Sequence, residues 1–486
     1  MDIIEPMIKI KSIGKNASYL TLALGVQKVI SLTYFILLAR NLGPEYLGKY
    51  YFAISFTTIF AILTNLGLMN VLTREVAKKK EQAQSYLGNI LTLKFFLTAI
   101  SLVGVFLVIN LLDYDQLTRH LVYIATGVMI LDSFTTTFFA VMRGFHNLKY
   151  ESIGAVGFQL IVMVLGLSAL YSGLNIRWVM SAMLVAGLFN FFYSWGVVRT
   201  KLNISLRPLY NPHLIRPVVA IAIPFGLYTV FHTTFLHLDS VLLSLLAGDR
   251  YVGLYQIAFK IIFALQFLPM AFVASFYPAM SYYWAQDHGQ LTRSFHRAIS
   301  YLLIISIPVA AGIFAIADKV VILFKSQFLE AILPLQIIIL SIIFMFMNFP
   351  IGSLLNACDR QKRNTTNMGI VLAVSIIANL ILIPKYQAVG ASITVLGCNI
   401  LMTLLGWYWV RKTISLNYTY IFKTVIKAGG AGVIMAVAAI YLKSMINVFA
   451  VIAVAAIIYA SFLFLFRAFT WKEAVSMYRL FLHKEH

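Results

Sequence analysis

The sequence predicts an all-α polytopic membrane protein with fourteen transmembrane helices. Three observations predict it. Hydrophobic residues make up 61% of the 486 and charged residues only 11%, where a soluble domain carries roughly 25% charged residues. The mean hydropathy is +0.86. The apolar residues gather in continuous stretches of about 20, the length a helix needs to cross the hydrocarbon layer. A backbone in lipid must satisfy its own hydrogen bonds, which leaves helices or closed barrels. Barrel strands would read as alternating segments of ~10 residues. These stretches do not alternate, so helices remain.

The expected spans are 18–39, 50–71, 85–111, 121–142, 153–172, 177–198, 217–246, 252–277, 299–317, 329–355, 367–384, 388–410, 425–443 and 446–466. The first, Leu20–Ala39, is too long for the core of a signal peptide and is followed by no small-residue cleavage pattern. It is expected to stay as a span. Loop charge orients the set. With the N-terminus inside, 26 of the 38 Lys and Arg fall on inner segments and 9 on outer ones, the bias expected of cytoplasmic loops. Both termini are therefore expected in the cytoplasm. The net charge of +21 is spread over many short loops. It reads as a topology and membrane-surface signal and forms no patch for nucleic acid.

No loop is long enough to fold as a soluble domain, and no outer loop exceeds about a dozen residues. That argues against an enzyme, including a polymerase or ligase of lipid-linked glycans. Gly-rich phosphate loops are absent, and no His, Cys or Glu spacing resembles a metal site; no cofactor is expected. Cys358 and Cys398 read as two small side chains. At the C-terminus, Trp471, Val475, Tyr478 and Leu482 recur at helical spacing, so 467–486 reads as a cytoplasmic amphipathic helix on the inner leaflet.

The chain carries an internal repeat. Gly43-x-x-Tyr46-Leu47-Gly48-x-Tyr50-x-x-Ala53 returns as Gly248-x-x-Tyr251-Val252-Gly253-x-Tyr255-x-x-Ala258, at an offset of 205. Each copy sits on an expected outer turn, after span one and after span seven. Spans one to six then correspond to spans seven to twelve. An even-numbered unit gives two halves in the same orientation, related by a pseudo-twofold along the membrane normal, as in secondary transporters. The expected organisation is a six-helix bundle over 1–200, a second over 201–415, two additional helices over 416–466 and the tail over 467–486.

Several motifs resemble one family. They are Leu38-Ala39-Arg40-Asn41-Leu42-Gly43-Pro44-Glu45-Tyr46-Leu47-Gly48 after span one, and Gly67-Leu68 with Thr73-Arg74-Glu75 closing span two. A third is Leu380-Ile381-Leu382-Ile383-Pro384-Lys385-Tyr386 followed by Val389-Gly390-Ala391. Together with the twelve-plus-two layout, they make the whole chain resemble the polysaccharide repeat-unit (O-antigen and exopolysaccharide) flippases of the multidrug/oligosaccharidyl-lipid/polysaccharide exporter superfamily. Where that family usually has Gly after its Ile-Pro-Lys-Tyr turn, this chain has Gln387. The resemblance implies a flippase, not an enzyme. It implies a polyprenyl-diphosphate-linked oligosaccharide, of the lipopolysaccharide type on undecaprenyl diphosphate, moved from the cytoplasmic to the outer leaflet of the bacterial inner membrane. Alternating access and an ion gradient are implied too, with a cationic cavity between two bundles. A monomer in contact with membrane lipid and with other polysaccharide assembly proteins fits that role.

Ionisable groups inside spans are costly and therefore functional candidates. Lys94 and Asp132 lie at one depth, roughly 14 and 15 Å from the inner ends of consecutive spans. They read as a buried salt bridge or as a cavity cation with its coupling acid. Asp239 and Lys260 form a similar pair, roughly 10 and 12 Å from the outer ends of spans seven and eight. Protonation of Asp239 would free Lys260 for an anion. Lys28 has no acidic partner in spans one or two, and an ammonium in a span calls for water or an anion. The resemblance places the diphosphate at basic residues of spans one, two, seven and eight, which nominates Lys28 and Lys260. Arg74, at the inner end of span two, is an entry candidate. His232 shares a face of span seven with Asp239 and is a proton-relay candidate. Two other readings use the same fold: a peptidoglycan-precursor lipid flippase and a multidrug cation antiporter. The antiporter would place acids in the helices where Lys28 and Lys260 stand.

Overall fold

The structure, a computed structural model, describes the backbone of residues 4–466 and the side chains of 23–466 other than 24, 224, 225, 274 and 275. The amphipathic helix expected at 467–486 lies outside the described residues. Among the described residues there is no strand, and twelve helices are long and apolar enough to cross a membrane. The chain is a multi-pass membrane protein.

Two of the twelve are far longer than one crossing needs: Gly25–Asn65 with 41 residues and Gln361–Arg411 with 51. Both are broken inside. Helix α1 (Ile4–Asn65) leaves helical geometry at Gly43 (φ 77°, ψ 171°). Helix α13 (Gln361–Arg411) does so at Gln387 (φ 47°, ψ −124°). Both breaks fall at turns expected between paired spans. Glycine adopts such a φ freely, whereas a side chain there meets its own carbonyl. Gln387 is held in that conformation without the glycine's freedom.

The second apolar stretch ends earlier than its expected limit at 71. Leu66 (φ 31°) and Gly67 (φ 78°) turn the chain after Asn65. A separate helix α2 (Leu68–Lys78) follows, burying Leu68, Val71, Leu72 and Val76. That i, i+3, i+4, i+8 spacing makes one apolar stripe. It packs on α4 (Gln116–Gly144) and α7 (Pro212–Ala247), in a core shared with Phe134, Phe138, Val218 and Ala222.

The chain forms two compact units, Met1–Gln256 and Ile257–His486. In the first, α1 packs along α4, α5 (Leu148–Tyr171) and α7, while α6 (Ile176–Lys201) covers α4 and α5. Helix α3 (Ala83–Leu111) joins α1 and α4. The segment leading to α7 lies along the start of α3, where Leu209 N–H donates to Gly88 O at 3.0 Å. Helix α8 (Asp249–Leu265) begins in this unit.

In the second unit, α9 (Phe267–Gln286) and α10 (His288–Ala315) pack with α12 (Ile332–Ala357), and α12 packs along α13. A short helix α11 (Ala317–Ile322) turns the chain between α10 and α12. Helices α14 (Tyr418–Leu442) and α15 (Val448–Leu465) are docked on α10. Lys443 Nζ donates to Ala315 O at 3.1 Å and to Asp318 Oδ1 at 2.8 Å. Tyr459 O–H donates to Ile304 O at 2.8 Å. Burial works against the Asp318 charge, but the Lys443 ammonium outweighs it and holds the carboxyl below its ordinary range.

Candidate functional site

The seven ionisable candidates separate by surroundings. Lys94, on α3, is fully buried. Its Nζ donates to Asn65 Oδ1 at 3.0 Å, to Ser133 Oγ at 2.8 Å and to the Ser133 carbonyl. Ser133 O–H then donates to Thr64 Oγ1 at 2.9 Å. Three neutral oxygens thus meet the ammonium, and no ion pair with Asp132 forms within 4 Å. Asp132 lies within Coulombic reach all the same. Lys94 therefore ties α3 to α4 and to the last turn before the Leu66–Gly67 bend. It is not among the residues that line the cavity of the first unit.

Asp132 faces the other way. A cavity of about 260 Å³ opens among α1, α4, α5 and α6 of the first unit. Asp132 lines it together with Thr57, Thr58, Thr135, Phe158 and Asn190. The Asp132 side chain is exposed to this space although protein surrounds it. No protein group among the described residues donates a hydrogen bond to its carboxylate. Asn190 Oδ1 and Thr135 Oγ1 are buried without hydrogen-bond partners, which ordinarily costs about 1–3 kcal/mol each.

Asp239, on α7, is buried and accepts a hydrogen bond from Tyr255 O–H at 2.8 Å. Tyr255 is a residue of the sequence repeat. His232, a half-buried residue of the same helix, stacks on Tyr228 with ring centroids 5.8 Å apart. His237 points elsewhere, its Nδ1 lying 3.3 Å from Ser55 Oγ of α1. Lys28 on α1 and Lys260 on α8 are both half-buried. Lys260 Nζ sits 5.9 Å from the Phe263 ring centroid. Arg74 stands on the exposed face of α2 beside Glu75, Nε to Oε1 3.6 Å, and Lys78 shares that carboxylate at 3.0 Å.

The two repeat turns meet each other. Gly43 and Gly248 adopt similar backbones, with φ 77° and ψ 171° against φ 100° and ψ 162°. A Cβ on Gly48 would lie 1.7 Å from Asp249 O, and a Cβ on Gly253 would lie 1.9 Å from Pro44 O. Both glycines are therefore required by close backbone approach. Beside them, Lys49 Nζ reaches Asp115 Oδ1 at 3.0 Å, Asp249 Oδ2 at 3.3 Å and Thr118 Oγ1 at 3.2 Å. Ser244 O–H donates to Asp249 Oδ1 and pairs with Tyr114 O–H at 2.8 Å. Burial disfavours the Asp115 charge. The Thr118 hydroxyl and the Lys49 ammonium together outweigh that and hold the carboxyl below its ordinary range.

Lys49, Asp115 and Asp249 are not among the sequence candidates. The signal that could have found them is one lysine and two aspartates on neighbouring outer turns. Asn65, Ser133, Thr135 and Asn190 carry no charge and gave no such signal.

The family described as "Polysaccharide biosynthesis protein" matches residues 13–284, and the MatE family matches residues 224–383. The chain is 22% identical over 442 residues to the uncharacterized membrane protein MJ1068 of Methanocaldococcus jannaschii, covering 85% of this chain and 86% of that one. It is 20% identical over 399 residues to the "Probable low-salt glycan biosynthesis flippase Agl15" of Haloferax volcanii, covering 80% and 81%. Among solved structures, the chain is similar to the Lipid II flippase MurJ in its inward closed conformation. The TM-score is 0.77 at 15% identity, over 92% of this chain and 98% of that one. It is also similar to an inward-facing multidrug resistance MATE family transporter of the MOP superfamily, with a TM-score of 0.65 at 16% identity over 80% and 94%. Both structural likenesses concern the fold.

Proposed function

Because the chain belongs to the polysaccharide biosynthesis protein family, we propose that it is a flippase that carries a lipid-diphosphate-linked oligosaccharide from the cytoplasmic to the outer leaflet. The observation that carries this reading is the family match across residues 13–284. The glycan flippase named among its relatives and the MurJ-like fold support it. The named relatives come from two archaea, so the proposed location is the cytoplasmic membrane, without restriction to a bacterial one. Both termini are proposed to face the cytoplasm.

The proposed topology counts α1 and α13 twice, at Gly43 and Gln387, to give fourteen crossings. The two six-helix halves are 1–200 and 201–415, with α14 and α15 outside the repeat. The reciprocal contact of the Gly43 and Gly248 turns supports a local twofold between them. Transport would proceed by rocking of one half against the other.

Half-buried ammonium groups in apolar helices suit a diphosphate, which a point charge can meet without fixed geometry. Lys28 and Lys260 are assigned that contact, and Arg74 the entry of the headgroup. Lys94 is assigned a structural role, because its donors are spent on Asn65 and Ser133. Asp239 is the proposed coupling acid, with His232, about two helical turns earlier on the same face of α7, as its proton relay. Two readings remain as competitors. MurJ similarity favours a peptidoglycan-precursor lipid, which offers the same diphosphate. MATE similarity favours a drug cation, which would be attracted to acids and repelled by Lys28 and Lys260.

Lys28→Ala and Lys260→Ala should abolish surface glycan in cells while the protein accumulates normally. Normal surface glycan in either variant contradicts its phosphate role. Asp239→Asn should transport independently of the ion gradient, and unchanged gradient dependence contradicts coupling through Asp239.

A further inference from the structure

We infer that the inner end of α13 holds a binding site for an anionic phospholipid, whose phosphate is met by Arg363, Lys412 and the Tyr408 hydroxyl. The site lies within the second unit and uses none of the ionisable candidates considered above. It draws on the proposed orientation only for its leaflet, the cytoplasmic one, and does not rest on the transport reading.

Two cations here are held by rings instead of acids. Arg363 and Lys412 stand at the two ends of α13, and the break at Gln387 folds those ends together. The Arg363 guanidinium carbon lies 4.4 Å from the Trp409 ring centroid. Lys412 Nζ lies 4.3 Å from the Tyr408 centroid and 5.4 Å from that of Trp409, and it donates to Tyr408 Oη at 2.6 Å. The two rings meet edge to face at 5.1 Å. Elsewhere Lys78, Arg143 and Lys443 each meet a carboxylate. Among the described residues, Arg363, Arg411 and Lys412 form no ion pair, and Asp359 on the preceding turn joins none of them. A π-face holds a cation in place without cancelling its charge. The positive charge of the cluster is therefore left for an outside anion. The Tyr408 hydroxyl accepts from Lys412 and donates to no described group, so its proton remains for the same anion.

The surroundings select a lipid. Helix α13 packs along α12, and its outer rows are bare. Ile370, Val374 and Ile377 continue the face of Arg363, and Leu404 the face of Tyr408. All four are exposed, Leu404 by 63%. In a membrane protein such rows meet acyl chains, and Trp and Tyr mark the headgroup level where the rows end. Lys and Arg at that level attract anionic headgroups. A guanidinium offers two parallel N–H donors to phosphate oxygens, and an ammonium adds a point charge. A headgroup phosphate at Arg363 and Lys412 has its acyl chains running along the exposed rows. Free phosphate would meet the cations and leave those rows bare. A zwitterionic phospholipid would bring its own ammonium against Arg363, Arg411 and Lys412.

The test is the melting temperature of the purified full-length protein in detergent, titrated with dioctanoyl phosphatidylglycerol, dioctanoyl phosphatidylcholine or inorganic phosphate. Phosphatidylglycerol alone should stabilise wild type saturably. The Arg363→Gln, Lys412→Gln double variant should melt like wild type without lipid, since both side chains are exposed. It should need roughly thirtyfold more phosphatidylglycerol, the loss of two surface cations. Should it fail to fold, Tyr408→Phe keeps the ring and should weaken the lipid about fivefold by losing one hydrogen bond. Arg199→Gln, Lys201→Gln removes the same charge from the exposed inner end of α6 and should leave the titration within about twofold, because salt screens distant charges. Absence of stabilisation by phosphatidylglycerol in wild type overturns the site. So does an equal loss in both double variants, which would make the attraction a diffuse property of the inner surface. An equal response to phosphatidylcholine or inorganic phosphate, or full affinity in Tyr408→Phe, overturns it too. The titration contains no glycolipid, so its failure is distinguishable from failure of the transport reading.

Discussion

Gly48 and Gly253 each pack against the backbone of the other's turn. Gly48 faces Asp249 O and Gly253 faces Pro44 O, and each pair is the other shifted by the repeat offset. A methyl at either glycine overlaps a carbonyl, and no rotamer change relieves backbone overlap. Gly48→Ala and Gly253→Ala should each cost the joined turns about 3 kcal/mol, at the upper end of overpacking. Under alternating access, both should shift the population toward a state with the turns apart. Spin labels on cysteines replacing Glu45 and Arg250 would read this as a longer interlabel distance. The native Cys358 and Cys398 are buried, and burial pushes the Cys358 thiol up to about 11, so they should stay unlabelled. An unchanged distance in both variants would show that the turns do not part.

Acid should loosen two tie points. The Asp115 and Asp318 carboxyls are held below their ordinary value, by Thr118 with Lys49 and by Lys443. A depressed carboxyl stabilises the fold above its unfolded pKa, about 3.9, and that contribution disappears as pH falls through the lower folded value. Both groups are well exposed, so the effect is small and screened. The melting temperature of wild type should fall more steeply below about pH 4 than that of the Asp115→Asn, Asp318→Asn double variant. Parallel acid limbs would contradict the assignment.

Gln387 occupies a backbone conformation that favours glycine. Gln387→Gly should raise stability by about 1 kcal/mol, the lower end of the strain held at such positions. Denaturation midpoints in detergent would measure it. A destabilised variant would mean that the Gln387 side chain makes compensating contacts.

Lys94 and Lys28 should behave oppositely. Lys94→Met removes the donor to Asn65 Oδ1 and Ser133 Oγ and should cost about 3 kcal/mol, the upper end for a buried hydrogen-bond partner lost, seen as lost accumulation or a lowered melting temperature. Lys28→Ala should melt like wild type yet fail to transport. A stable, inactive Lys94→Met would return Lys94 to the substrate path.

Much of the fold was legible because lipid imposes one rule on every span. Apolar length could be read without knowing what each helix touches. The Gly43 and Gly248 turns were legible as a repeat, because glycine at a fixed φ leaves a mark in sequence. Helix α2 was less so. Its stripe of Leu68, Val71, Leu72 and Val76 was present, but Leu68 and Val71 read as the end of span two, and Arg74 and Lys78 as charges of the inner loop after it. The site was harder still. Opposite charges at equal depth suggested Lys94 with Asp132, whereas the fold sets them against different faces of α4. Adjacent residues on a helix point about 100° apart, so Ser133 meets the lysine and Asp132 meets the cavity. Partners such as Asn65 and Asn190 are neutral, and their role exists only after three helices have packed.

The proposed function is movement of a lipid-diphosphate-linked glycan between leaflets. The most direct measurement is the purified protein in sealed vesicles with a fluorescent lipid-diphosphate oligosaccharide, its leaflet read by a membrane-impermeant quencher. A flippase of this kind should give protein-dependent transfer across the bilayer, lost in Lys28→Ala and absent for a cationic dye. Transfer no faster than in protein-free vesicles across the imposed ion gradients, or uptake of the cationic dye in its place, would contradict it.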